Sequence, residues 1–220
     1  MCWWQRLALA AAIAAGFEVG VVRAQSTMDF ESVPDGTVFG GMADPPDTPG
    51  AAVLEENHIG MSVDTFIIGG FPEFFAASVG TGQVDELPTR SLLLDNIGVA
   101  FDFAGVGFDV GSVTFDFADR GGGSNFMVNG GEMFILDFLG DVPSDVAPGV
   151  TAEIVGGSIH LFTDEATTIS DVAVGGQELY IDNVSAVVPE PATLLLITIG
   201  VATCHSAGRG HRARPRRRAS

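Results

Sequence analysis

The chain has 220 residues, 46% of them hydrophobic, with 28 acids against ten cations and a formal charge of −18. That length suits one ordinary domain with short end segments, and the acidity excludes nucleic acid and anionic membrane surfaces as partners of the folded part. Lysine is absent and both cysteines, Cys2 and Cys204, lie near the extremes, which excludes disulfides, thiolate metal sites and lysine phosphate loops from the middle. At the start, Arg6 precedes the apolar run from Leu7 to Ala15, and Val22-Arg23-Ala24 places small residues at a cut site. Charge, core length and cut site are those of a secretory signal peptide. They predict a signal helix over residues 1–24, handled by signal peptidase and the secretion machinery.

A β domain is expected over residues 26–187. Apart from Glu18 and Glu190, its span holds all the acids, 26 of them, and only two cations, Arg90 and Arg120, for a formal charge of −24. Such a surface attracts divalent cations and basic partners. Its first motif is Asp29-Phe30-Glu31-Ser32-Val33-Pro34-Asp35-Gly36. Strand alternation would put Asp29 and Glu31 on the face opposite Phe30. A proline-rich loop follows at Asp44-Pro45-Pro46-Asp47. Phe71, Phe74 and Phe75 surround Pro72 in a second loop, and read as core or a hydrophobic plug, with a contact patch as the alternative.

Period-2 alternation dominates what comes next. Val99, Phe101 and Phe103 alternate with Ala100 and Asp102, and Val113, Phe115 and Phe117 with Thr114 and Asp116. Leu179 and Ile181 alternate with Tyr180 and Asp182. Each pattern gives one apolar face, as a half-buried strand requires. Glycine pairs and triplets separate the runs, and no long amphipathic pattern intervenes. The similar segments 99–104 and 113–118 are expected to be neighbouring strands. The loop Asp119-Arg120-Gly121-Gly122-Gly123-Ser124-Asn125 reads as a hairpin turn, or as a place where Arg120 and backbone amides hold a glycan. Many short strands at near-regular spacing predict an all-β, antiparallel sandwich.

A Phe-Glu near the first strand and Tyr180-Ile181-Asp182-Asn183-Val184 near the last resemble the jelly-roll carbohydrate-binding modules and galactose-binding-like domains. The resemblance implies a jelly-roll-like β-sandwich. It also implies a structural calcium where the first and last strands meet, with Glu31 and Asp182 among its ligands and Asp29 or Asp35 adding a carboxylate. Calcium takes six to eight oxygens from carboxylates, carbonyls and water. The alternative is that these are solvated acids of a very acidic domain.

No catalytic motif accompanies this pattern. His58 and His160 are the only histidines of the β domain and belong to no nucleophile or metal motif. Glu55-Glu56 and Asp85-Glu86 offer carboxylate pairs, but pairs are common among so many acids. A specific sugar cleft usually uses Trp or Tyr, and Tyr180 is the domain's one such residue. The chain is therefore expected not to be an enzyme.

The tail reads Val188-Pro189-Glu190-Pro191, then an apolar run from Ala192 to Cys204, then Arg209, Arg212, Arg214, Arg216, Arg217 and Arg218. That order resembles the PEP-CTERM sorting signal of exported bacterial proteins, which implies processing beside Pro-Glu-Pro by a membrane-embedded exosortase. The apolar run is shorter than the roughly 20 residues that cross a bilayer core, so a short hydrophobic helix inserted transiently is expected over residues 188–220. The arginines hold its end in the cytoplasm. Together the segments describe an exported protein, membrane-inserted before processing and then at the cell surface or in the extracellular matrix, with a structural or adhesive domain. The alternatives are a carbohydrate-binding module for exopolysaccharide and a glycan-active hydrolase.

Overall fold

The computed structural model describes residues 24–164 and 166–188; the expected signal helix and the sorting segment from Pro189 onward lie outside the described residues. The strands are β1 (Gln25–Met28), β2 (Val38–Gly40), β3 (Ala52–Glu56), β4 (Ile59–Asp64), β5 (Phe66–Ile68), β6 (Phe71–Glu73), β7 (Ala76–Thr81), β8 (Arg90–Asp95) and β9 (Ile97–Asp102). They continue as β10 (Ser112–Asp119), β11 (Ser124–Val128), β12 (Phe134–Leu136), β13 (Asp145–Ala147), β14 (Val150–Val155), β15 (Ser158–Thr163), β16 (Asp171–Gly176) and β17 (Leu179–Val187). Two short 3-10 turns, Ala104–Val106 and Leu139–Asp141, interrupt the connections. The described domain is all-β, as the alternation predicts.

All strand pairs are antiparallel. A nine-stranded sheet runs β13-β14-β15-β10-β17-β8-β7-β2, with β1 beside β17. A six-stranded sheet runs β12-β11-β16-β9-β4-β3, and β5 pairs with β6 as a separate hairpin. One buried cluster joins the two large sheets: Leu92, Phe115 and Ile181 from the first, Met61, Phe101 and Phe126 from the second. Phe115 and Phe126 meet across it with ring centroids 6.5 Å apart. Each inward side chain alternates with an outward one, so the apolar face of every expected strand lies in this core.

Three expectations change. The similar segments 99–104 and 113–118 are not neighbours, because β9 lies in the six-stranded sheet and β10 in the nine-stranded one. Their likeness reflects the same task, lining one core from opposite sides. Residues 119–125 do not form a hairpin turn, since β10 and β11 belong to different sheets and the glycines carry the chain across the sandwich. Phe30 is fully buried not by strand alternation but by a turn after β1, where its φ is +60°.

β17 organises the molecule. It pairs with β10 along its length, with β8 at Leu179–Ile181 and with β1 at Val184–Val187. Between these contacts Asn183 takes a φ of +53° and the register against β10 slips, a β-bulge. Nine residues of β17 span about 30 Å, and they define two poles. At the tail pole Val188 N–H donates to the Ala24 carbonyl at 3.2 Å, so the chain enters and leaves the sandwich side by side. At the other, the loop pole, the connections β8–β9, β10–β11 and β16–β17 cross between sheets.

Candidate functional site

The implied calcium residues are brought to one region, where β8 gives way to β1 beside β17. Asp182 faces away from the core yet is only 1% exposed. The strap between β7 and β8 covers it, with Thr89 Oγ1 donating to Asp182 Oδ2 at 2.5 Å; the other oxygen accepts the Asn183 N–H at 2.7 Å. Burial pushes the Asp182 carboxyl up from 3.8 to about 6, with the charges of Asp116 and Asp29 adding to the rise and the Thr89 and Asn183 hydrogen bonds opposing it. Val84 and Leu87 of the strap pack with Ala118 and Tyr180, so Tyr180 is half-covered rather than a free platform.

Glu31 is exposed and accepts the Arg90 backbone N–H at 3.0 Å. The Arg90 guanidinium reaches the carbonyls of Glu31 and Val33, each at 2.6 Å. Asp29 accepts the Glu31 N–H at 3.1 Å. Thus the three acids lie near one another, and consecutive residues Thr89 and Arg90 bridge Asp182 to Glu31. Asp35 lies apart from them in its bonding, accepting the Thr81 N–H at 3.0 Å. Among the described residues, no three His, Cys, Asp or Glu side chains gather as a metal-holding group. Each Asp182 oxygen accepts one hydrogen bond, and Arg90 holds two nearby carbonyls.

Two clefts open at the loop pole. The larger, about 500 Å³, lies between the β5–β6 hairpin and β12. Its walls are mainly apolar: Phe66, Ile67, Ile68, Ile135, Leu136 and Phe138. Ile135 and Phe138 are 62% and 51% exposed, and Phe71 beside the hairpin turn is 71% exposed. The hairpin is fixed by Asn125, whose side-chain oxygen accepts the Ile67 N–H at 2.6 Å and whose amide donates to the Ile67 carbonyl at 2.9 Å. Of the three phenylalanines around Pro72, Phe71 and Phe75 are exposed and Phe74 packs on the core.

The smaller cleft, about 280 Å³, is lined by Asp95, Asn96, Arg120, Gln177 and Glu178 beside Gly121 and Gly122. A short network orders it. Asn96 donates to Asp95 Oδ1 at 2.9 Å and accepts from Gln177 at 3.0 Å, while Arg120 N–H donates to the Glu178 carbonyl at 3.0 Å. Arg120 also pairs with Glu86 at 2.5 Å. Gly122, common to both clefts, has φ +91°, and a Cβ there would strike Gln177. Asp119 anchors the whole crossing, accepting from Gly121 N–H and Ser124 Oγ at 2.8 Å and from Leu139 N–H at 2.7 Å.

The loop 119–125 carried a signal in its glycines and Arg120. Asp95, Asn96, Gln177 and Glu178 carried none, because three distant connections must meet before they form a site. Glu55-Glu56 and Asp85-Glu86 lie outside both clefts; Glu56 instead accepts from the Asp29 and Phe30 amides at 3.1 and 3.0 Å. His160 is stacked on Phe162 with centroids 6.2 Å apart on the outer face of β15. No family model, curated protein or solved structure matches the chain.

Proposed function

We propose that the chain is an exported protein of the cell surface or extracellular matrix, sorted by an exosortase, whose jelly-roll-like domain is structural or adhesive and not catalytic. Support for the jelly roll comes from strand order: β15-β10-β17-β8 faces β12-β11-β16-β9, with the chain alternating between sheets as it passes from β8 to β11 and from β15 to β17. The observation that carries the function is the separation of the poles. Both processed segments leave at the tail pole, through Ala24 and Val188, whereas the exposed Phe71, Ile135 and Phe138 lie at the loop pole. A domain held through its tail would present that apolar group outward.

The sorting step is tested by fractionation. Glu190→Gln, or deletion of the residues from Arg209 to Arg218, should leave export intact and stop processing, so that the domain accumulates in the membrane fraction. Unchanged release of the Glu190→Gln protein would refute the proposal.

The second reading, a carbohydrate-binding module for exopolysaccharide, is favoured by the polar cleft beside the apolar one. Side-chain amides, carboxylates and a guanidinium next to an aromatic ring are the groups that hold sugar hydroxyls and a sugar's apolar face. Asp95 and Glu178 line the same polar cleft. The non-catalytic reading therefore makes a firm statement: prolonged incubation with a bound glycan releases no new reducing ends.

Calcium remains part of the proposal at Glu31, Asp182 and Asp29, supported by the charges of Asp29 and Asp116 bearing on the buried Asp182. Binding there would require Arg90 to yield the two carbonyls it holds.

A further inference from the structure

The twin clefts at the loop pole differ in what they offer a ligand. Among the described residues, the carboxylates and the Gln177 amide of the polar cleft leave acceptors without a protein partner. Asp95 uses only one oxygen, for Asn96; Gln177 donates through its amide nitrogen and leaves its oxygen free; and the Glu178 carboxylate has no side-chain bond. Arg120, the one cation of the cleft, is held by Glu86. The complement of such a cleft is a ligand rich in donors and positive in charge. A domain with 26 acids and two arginines extends the same preference to long range and repels uronates and sulfated chains. The neighbouring apolar cleft, edged by Phe138 and Ile135, offers a ring face to stack on and contributes no charge except Asp137. Gly122 separates the two with no side chain of its own, so one ligand can lie across both.

We propose that the loop pole binds a glycan carrying free amino groups, with the ammonium at Asp95 and Glu178 and a neighbouring sugar ring against Phe138. The inference rests on the carbohydrate-binding reading and narrows it to one chemical class. Each ammonium presents three donors to the free acceptors of the polar cleft. Flat pyranose faces need an apolar neighbour, which Phe138 supplies at 51% exposure. Glycans bearing carboxylates or sulfates would bring like charge to Asp95, Asp137 and Glu178.

The test is calorimetric titration of the full chain in nonionic detergent micelles at physiological salt. Four probes are used: a glucosamine hexamer, its fully N-acetylated counterpart, a galacturonate hexamer and a hexalysine peptide. The glucosamine hexamer should bind at least tenfold more tightly than the N-acetylated one, and the galacturonate should not bind. Glu178→Gln combined with Asp95→Asn should remove that tenfold preference. Phe138→Ala should weaken the glucosamine hexamer at least fivefold, with the thermal midpoint of each variant within a few degrees of the parent. If the N-acetylated hexamer binds as well as the amine and Phe138→Ala weakens both, the amino-sugar class is overturned while carbohydrate binding stands. If no hexamer binds, both fall. Hexalysine binding as tightly as the glucosamine hexamer, or an amine affinity unchanged in the double variant, would show diffuse charge attraction and overturn the site.

Discussion

Asp182 shows how one residue can carry a measurable signature. Its carboxyl is buried on the outer face of β17 under the strap and is pushed from 3.8 to about 6. Between those values the folded protein binds more protons at this group than the unfolded chain does, so stability falls as pH rises through about 4 to 6. The fall attributable to this group is at most about 3 kcal/mol. Asp182→Asn should remove it, flattening the profile of urea-melt stability across that window relative to the parent. A variant profile parallel to the parent's would place the perturbed group elsewhere. Phe115 tests the core in the same way. It is 1% exposed and meets Phe126 across the sheets, so Phe115→Ala should cost about 3–5 kcal/mol in denaturant melts. A loss below about 1 kcal/mol would mean that Phe115 does not lie in the packed interior.

At the scale of elements, the crossing from β10 to β11 decides whether the loop pole exists. Asp119 holds it through three hydrogen bonds, to Gly121, Ser124 and Leu139. Asp119→Ala leaves those donors without their acceptor and should cost at least about 3 kcal/mol, since each bond to a charged group contributes roughly 1.5–3 kcal/mol. The variant should also lose the glycan binding proposed for the loop pole while keeping its β-rich far-ultraviolet spectrum. The strands themselves were legible from alternation: Val99, Phe101, Val113, Phe115, Leu179 and Ile181 are all buried. Partner choice was not. The same glycines serve a hairpin turn and a passage between sheets, so Gly121-Gly122-Gly123 could not say which. The bulge at Asn183 was hidden as well, because a register slip leaves composition unchanged. Glu31, Asp29 and Asp182 were legible as a meeting of the chain's ends, whereas the part of Thr89 and Arg90 in bridging them was not, since the strap comes from the middle of the sequence. The loop-pole clefts depend on connections from about 70 to 80 residues apart and have no sequence signature of their own.

For the whole molecule, the charge of −24 over the β domain sets the terms. Mutual repulsion weakens the folded state and is relieved by screening. Millimolar calcium should raise the melting temperature more than sodium at equal ionic strength if the ion binds specifically, and Glu31→Gln should remove the excess; equal effects of the two salts would leave screening as the whole explanation. The central claim is that a sandwich whose ends emerge together at one pole is trimmed at both ends and presents the opposite pole outward. Intact-mass analysis of the exported protein tests it most directly. The account predicts a released form that begins near Gln25 and ends beside Pro189-Glu190-Pro191, with the apolar run and arginines gone. A released protein that retains its chain through to Ser220 would contradict it.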